Sequence, residues 1–72
     1  MIIVSGASKG LGKAIIERLT NNGKKVFGIA RDVSKISTDC MSCDVSSYEQ
    51  VKAVAQEIKR RKIVVDAVIN AA

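Results

Sequence analysis

Apolar residues follow two rhythms along this chain, short unbroken runs and longer stretches of helical spacing, and their alternation predicts an α/β unit. Met1 to Val4 is continuously apolar and gives way to Ser5 and Gly6, which predicts a strand buried on both faces and closed by a tight turn. Leu11, Ala14, Ile15 and Leu19 then recur at helical spacing, with Lys13, Glu17 and Arg18 free to face water and Asn22 and Gly23 supplying a stop. That pattern predicts a helix of about three turns. Lys25 to Ala30 reads as a second strand parallel to the first, joined by a right-handed crossover. Arg31 to Asp39 is polar apart from Val33 and Ile36 and is too short for a crossover helix of the usual size, so it predicts an irregular connection with one helical turn.

Cys40 to Cys43 predicts a short third strand. Ser46 stands three residues before Glu49 in capping-box spacing and predicts the start of a second helix, with Tyr48, Val51, Val54, Ala55 and Ile58 as its buried stripe. Lys59, Arg60, Arg61 and Lys62 crowd its end, where cations favour the helix dipole. Val64 to Val65 and then Ala67 to Ala72 complete a last apolar strand interrupted by Asp66. The expected architecture is half of a doubly wound sheet, four parallel strands in the order 3-2-1-4.

Length sharpens this picture. A chain of 72 residues leaves no room for a second domain and buries only about 60% of its unfolded surface, so it is expected to be barely stable alone. The hydrophobic fraction of 47% with Tyr48 and Phe27 as the only aromatic residues requires a core of Ile, Val, Leu and Ala, which suits helices packed on a parallel sheet. The net charge of +5 favours anionic ligands without saying which. No apolar run is long enough to cross a bilayer, and the expectation is a soluble, cytoplasmic protein with no membrane partner. Cys40 and Cys43 are accompanied by no histidine and no second pair, so no four-ligand zinc site is expected and the two read as reduced strand thiols.

The candidate chemistry lies in the turn after the first strand. Ser5-Gly6-Ala7-Ser8-Lys9-Gly10-Leu11-Gly12 stands between an apolar strand and an amphipathic helix, the context that a phosphate-binding turn requires. Gly6 can make the turn, Gly10 can admit a pyrophosphate to the backbone, and Gly12 can let helix and strand pack closely. The stretch resembles the Thr-Gly-X-X-X-Gly-X-Gly signature of the classical short-chain dehydrogenases/reductases, with Ser5 in place of the threonine. Asp44-Val45 is similar to that family's Asp-aliphatic pair, and Asp66 to Ala72 resembles its fourth-strand motif Asp-X-X-X-Asn-Asn-Ala-Gly, with Ala71 in place of the second asparagine. The closing glycine of that motif would be residue 73. Asp44 alone also reads as a helix cap and Asn70 alone as a strand-end hydrogen-bonding residue; the three motifs in one register are what single them out.

The resemblance implies one Rossmann-type domain, of which residues 1–72 are the amino-terminal part, ending before the family's catalytic serine, tyrosine and lysine. No catalytic residue is therefore expected in the chain, and it is expected to be inert by itself. Tyr48 has Lys52 four positions on, but the pair stands before the fourth strand rather than after the fifth, so it is assigned to packing. The implied cofactor site comprises Gly6, Ser8, Lys9, Gly10, Leu11, Gly12, Arg31, Asp44, Val45, Asn70 and Ala71, with the Asp44 carboxylate and the Val45 amide on the adenine ring. An NAD site needs an acid at the end of the second strand, where Ala30 stands; Arg31 beside it and Lys9 before Gly10 suit the extra phosphate of NADP instead. Asp32 is the residue that would weaken this preference if its carboxylate faced the ribose.

The expected function of the intact protein is thus that of an NADP(H)-dependent oxidoreductase, and of a homo-oligomer, acting on a small carbonyl or alcohol; NAD is the less favoured cofactor. A dinucleotide-binding or redox-sensing module without catalysis shares the same sequence features. A nucleic-acid partner is not expected: the Lys59-Arg60-Arg61-Lys62 run is accompanied by almost no stacking surface.

Overall fold

The computed structural model describes residues 1–7, 10–34, 36 and 38–71. Its elements follow the order β1 (Ile2–Ser5), α1 (Gly10–Asn21), β2 (Val26–Ala30), β3 (Asp39–Ser42), α2 (Tyr48–Arg60) and β4 (Ala67–Asn70). All neighbouring strands are parallel and the sheet order is β3-β2-β1-β4, as the hydrophobic pattern predicts. In register, Ile2 stands opposite both Val26 and Ala67, and Ser5 opposite both Ile29 and Asn70. The carboxyl ends of all four strands therefore meet at one edge, and the direction of winding reverses between β1 and β4.

Side chains that alternate along the strands build two cores. Ile3, Phe27, Ile29 and Cys43 pack with Val54 of α2 on one face, joined by Met41, Ile58 and Ile63. Val4, Ala7 and Val26 pack with Ile16 of α1 on the other, joined by Ile15, Leu19 and Ile36. Val4 and Phe27 are wholly buried. Met41 and Cys43 face the α2 side, so Cys40 points the opposite way by strand alternation, and both thiols are unpaired.

Several local expectations shift. The buried stripe of α1 runs through Gly12, Ile15, Ile16 and Leu19, while Leu11 is 67% exposed and Ala14 is exposed as well. Gly12 is pinned against the preceding turn, which rotates Leu11 by about 100° to the outside. In α2 the packed residues are Val54 and Ile58; Tyr48 is 78% exposed, and Val51 and Ala55 are exposed as well. The cap of α2 is Ser47, one residue after the expected Ser46, and its hydroxyl accepts from the Gln50 amide. The third strand lies one residue earlier than expected, and Val64 and Val65 precede rather than extend β4. Between β2 and β3 the Ile36 amide donates to the Val33 carbonyl in a single turn.

Both helices end in the same way. After α1, the Gly23 amide donates to Thr20 and the Lys24 amide to Leu19; after α2, the Lys62 amide donates to Lys59 and the Ile63 amide to Ile58. Each is a Schellman cap, whose first residue beyond the C-cap takes left-handed backbone angles. Gly23 adopts φ 77° at no steric cost, whereas Lys62 adopts φ 56° with a side chain. Lys62→Gly is accordingly expected to raise stability by about 0.5–1 kcal/mol, read as a higher midpoint in urea or thermal unfolding. Nearby, Glu57 accepts from Arg60 at 2.8 and 2.6 Å and from Arg61 at 2.5 Å, and these guanidinium bonds pull its carboxyl down to about 2. Arg60 and Arg61 of the basic run are thus folded back on their own helix, with the Arg61 guanidinium 5.8 Å from the Phe27 ring.

Candidate functional site

The strand ends open onto a cavity of about 600 Å³. Gly6 from the β1 turn, Ala30, Arg31 and Asp32 from the end of β2, Asp44, Val45 and Ser46 after β3, and Ala71 after β4 all line it. Residues far apart in sequence meet here because four parallel strands end at the same level, the position that open α/β sheets use for ligands. Of the residues singled out by the sequence, the structure brings Gly6, Arg31, Asp44, Val45 and Ala71 to this cavity. Gly10, Leu11 and Gly12 form the first turn of α1. Asn70 stands at the end of β4, where its Oδ1 accepts from the Ser5 hydroxyl at 3.0 Å. Ser8 and Lys9 lie outside the described residues.

The glycine turn is tight at one point and open at another. A Cβ placed on Gly12 would lie 2.0 Å from the Gly6 carbonyl oxygen and 2.7 Å from its carbon, so α1 begins in direct backbone contact with the turn that precedes it. Gly10 has φ 60°, and a Cβ there would meet nothing within 4 Å among the described residues outside its chain neighbours. A helix start of this kind offers its free amides to an anion.

Asp44 is held by several bonds. Its Oδ1 accepts from the Ser46 hydroxyl at 2.7 Å and from the Ser46 amide at 3.0 Å. These two bonds, with a smaller contribution from the Arg31 charge, hold its carboxyl below the usual range, so it stays an acceptor at neutral pH. The Asp44 carbonyl accepts from the Ser47 amide at 2.9 Å, and the Asp44 amide donates to Gln50 Oε1 at 2.7 Å. At the neighbouring strand end the Ser42 hydroxyl donates to the Arg31 carbonyl at 2.8 Å, tying down the backbone that presents the guanidinium. Asp32 Oδ1 accepts from the Ser34 amide at 3.0 Å, a local turn that engages its carboxylate within its own loop.

Ser42, Ser46 and Gln50 are the contributors that sequence reasoning passed over. Ser42 carries no signal beyond a hydroxyl near a strand end, and the capping-box spacing of Ser46 points to a helix cap rather than to its bonds with Asp44. Gln50 does: it stands three residues after Ser47, the capping-box spacing, which becomes visible once Ser47 rather than Ser46 is recognised as the cap.

A resident dinucleotide would fit these residues. The cavity holds a fixed carboxylate at Asp44 and a cation at Arg31, and Gly6 at its rim leads into the helix start at Gly10; a carboxylate suits an amino-bearing base, and a cation and a helix start suit phosphates.

Comparison with known proteins agrees with this geometry. The model of the short chain dehydrogenase family matches residues 1–72. The chain is 36% identical to dehydrogenase/reductase SDR family member 11 of Gallus gallus, over 94% of this chain and 32% of that protein. It is 33% identical to the NADPH-dependent pterin aldehyde reductase of Arabidopsis thaliana, over 96% of this chain and 33% of that protein. Among solved structures, the ligand-free aldohexose dehydrogenase of Thermoplasma acidophilum superposes with a TM-score of 0.84 at 33% identity, covering 99% of this chain and 29% of that one. A 4-hydroxyisoleucine dehydrogenase complexed with NADH and succinate superposes with a TM-score of 0.91 at 25% identity, covering 100% of this chain and 34% of that one. The chain thus spans about a third of the length of the relatives it matches.

Proposed function

Given that the chain belongs to the short chain dehydrogenase family, we propose that residues 1–72 are the cofactor-binding part of a cytoplasmic, homo-oligomeric oxidoreductase that uses NADP(H) on a small carbonyl or alcohol. The observation that carries the choice of cofactor is the end of β2, where Ala30 stands in the place of an acid and Arg31 lines the cavity; Asp32 lines it too, with its Oδ1 accepting from the Ser34 amide. A ribose hydroxyl pair finds no carboxylate at Ala30, whereas a 2′-phosphate meets the donor fork of Arg31. The name of the Arabidopsis relative supports the same cofactor, while the 4-hydroxyisoleucine dehydrogenase is complexed with NADH, so the preference rests on this chain's own residues.

In this reading the bound dinucleotide would give hydride to a carbonyl or take it from an alcohol, and the chain's residues hold its adenosine end. The turn from Gly6 to Gly12 receives the pyrophosphate, with Ser8 and Lys9 in the same loop; Asp44 and the Val45 amide receive the adenine. Asn70 and Ala71 border the path toward the nicotinamide. The test is calorimetric titration of the intact protein with adenosine 2′,5′-bisphosphate and with AMP, which differ only in the 2′-phosphate. Tighter binding of the bisphosphate is expected. Equal affinities would overturn the NADP reading.

A further inference from the structure

We propose that Gln50 is a positioning residue for adenine recognition, acting through the backbone of Asp44. The proposal rests on the reading of the cavity as an adenine-nucleotide site and identifies what holds its base-binding residue in place. The last ladder bond on the β3 side runs from the Cys43 amide to the Ala30 carbonyl at 2.9 Å, so the Asp44 amide lies beyond the sheet and needs another acceptor. Gln50 Oε1 supplies it at 2.7 Å. Gln50 is itself anchored, as the third residue of α2, by the bond from its amide to the Ser47 hydroxyl.

The arrangement is a displaced capping box. In the usual form the side chain at this helix position reaches back to the amide of the cap residue. Here it reaches three residues further, to Asp44, and clamps the whole turn from Asp44 to Ser47 onto the start of α2. Within that turn Ser46 occupies one carboxylate oxygen, Oδ1, through two bonds, and Oδ2 accepts no hydrogen bond among the described residues. An adenine amino group donating to Oδ2 and a ring nitrogen accepting from the Val45 amide would need both groups at a set separation. That separation depends on where the Asp44 backbone stands, and Gln50 is the side chain that holds it from outside the turn.

The chemistry at position 50 is one-sided: only an acceptor can serve an amide donor. Gln50→Met keeps length and helix compatibility without the acceptor, and Gln50→Glu keeps the acceptor. The experiment titrates the intact protein, unmodified and with each substitution, with AMP and with IMP, whose hypoxanthine presents a carbonyl where adenine presents its amino group. The unmodified protein is expected to favour AMP. Gln50→Met is expected to lose about three- to tenfold in AMP affinity, the worth of one hydrogen bond, while its IMP affinity stays put, so that the AMP-to-IMP ratio falls. Gln50→Glu is expected to keep the ratio. An unchanged ratio in Gln50→Met overturns the role of Gln50 and leaves the adenine site standing. Should Gln50→Met not fold, a lowered ratio in Gln50→Glu overturns it equally. Absence of any AMP preference in the unmodified protein overturns the adenine reading of Asp44 and this proposal with it.

Discussion

Gly12→Ala is expected to unfold the chain or to cost it more than about 3 kcal/mol, the upper part of the range for forcing extra volume into a packed site. The added methyl would lie 2.0 Å from the Gly6 carbonyl oxygen, well inside van der Waals contact, and the obstacle is main chain rather than a side chain that could rotate away. Relief requires α1 to lift off the turn, which breaks the packing of Ile16 and Leu19 against Val4 and Val26. Gly10→Ala is the matched control. It meets nothing within 4 Å among the described residues outside its chain neighbours and bears only the cost of left-handed angles, about 1–2 kcal/mol. Denaturant midpoints of the two variants should therefore separate widely; similar midpoints would show that the approach at Gly12 is not the constraint inferred here.

Arg31→Asp is expected to reverse the choice between 2′-phosphorylated and unphosphorylated nucleotides. Loss of charge-assisted bonds from a guanidinium to a phosphate costs about 1.5–3 kcal/mol, roughly ten- to a hundredfold in affinity, and the new carboxylate adds repulsion to that loss. The same carboxylate offers an acceptor to ribose hydroxyls, so affinity for AMP is expected to hold or rise. The measurement is the ratio of dissociation constants for adenosine 2′,5′-bisphosphate and AMP before and after substitution. A ratio that does not move would remove Arg31 from the site. Ser42 gives a softer version of the same experiment, since its hydroxyl holds the Arg31 carbonyl rather than the ligand.

The fold was legible because its signals are cumulative. Four apolar runs, two amphipathic stretches and a glycine turn all specify one winding, and the sheet order and parallel pairing follow from them. Rotations and caps were less legible because they depend on a single contact. Leu11 belongs to the apolar stripe by spacing, but the contact between Gly12 and Gly6 turns the helix away from it. Tyr48 sits at the first position of α2, ahead of the line through Val54 that meets the sheet. The serine pair Ser46-Ser47 offers two caps of equal propensity; the choice falls to Ser47 because Ser46 is drawn into two bonds with Asp44. In the candidate site the glycines and the charged residues announce themselves by type, whereas Ser42 and Gln50 act through backbone atoms of other residues, and no pattern in a sequence marks the recipient of such a bond.

The central place of β1 has a consequence for the order in which the chain assembles. Its first edge is satisfied by β2, with Ile2 against Val26, as soon as α1 and β2 exist, but its second waits for β4, with Ile2 against Ala67. The entropy of closing the longer loop exceeds that of the shorter by only about 0.9 kcal/mol, so the equilibrium hardly registers the difference. The kinetics do, since distant pairings form late. During synthesis on a ribosome, the run Ile2-Ile3-Val4 keeps one edge bare from the time β2 pairs with it until Ala67–Asn70 has followed, an interval in which that edge can pair with any other exposed strand.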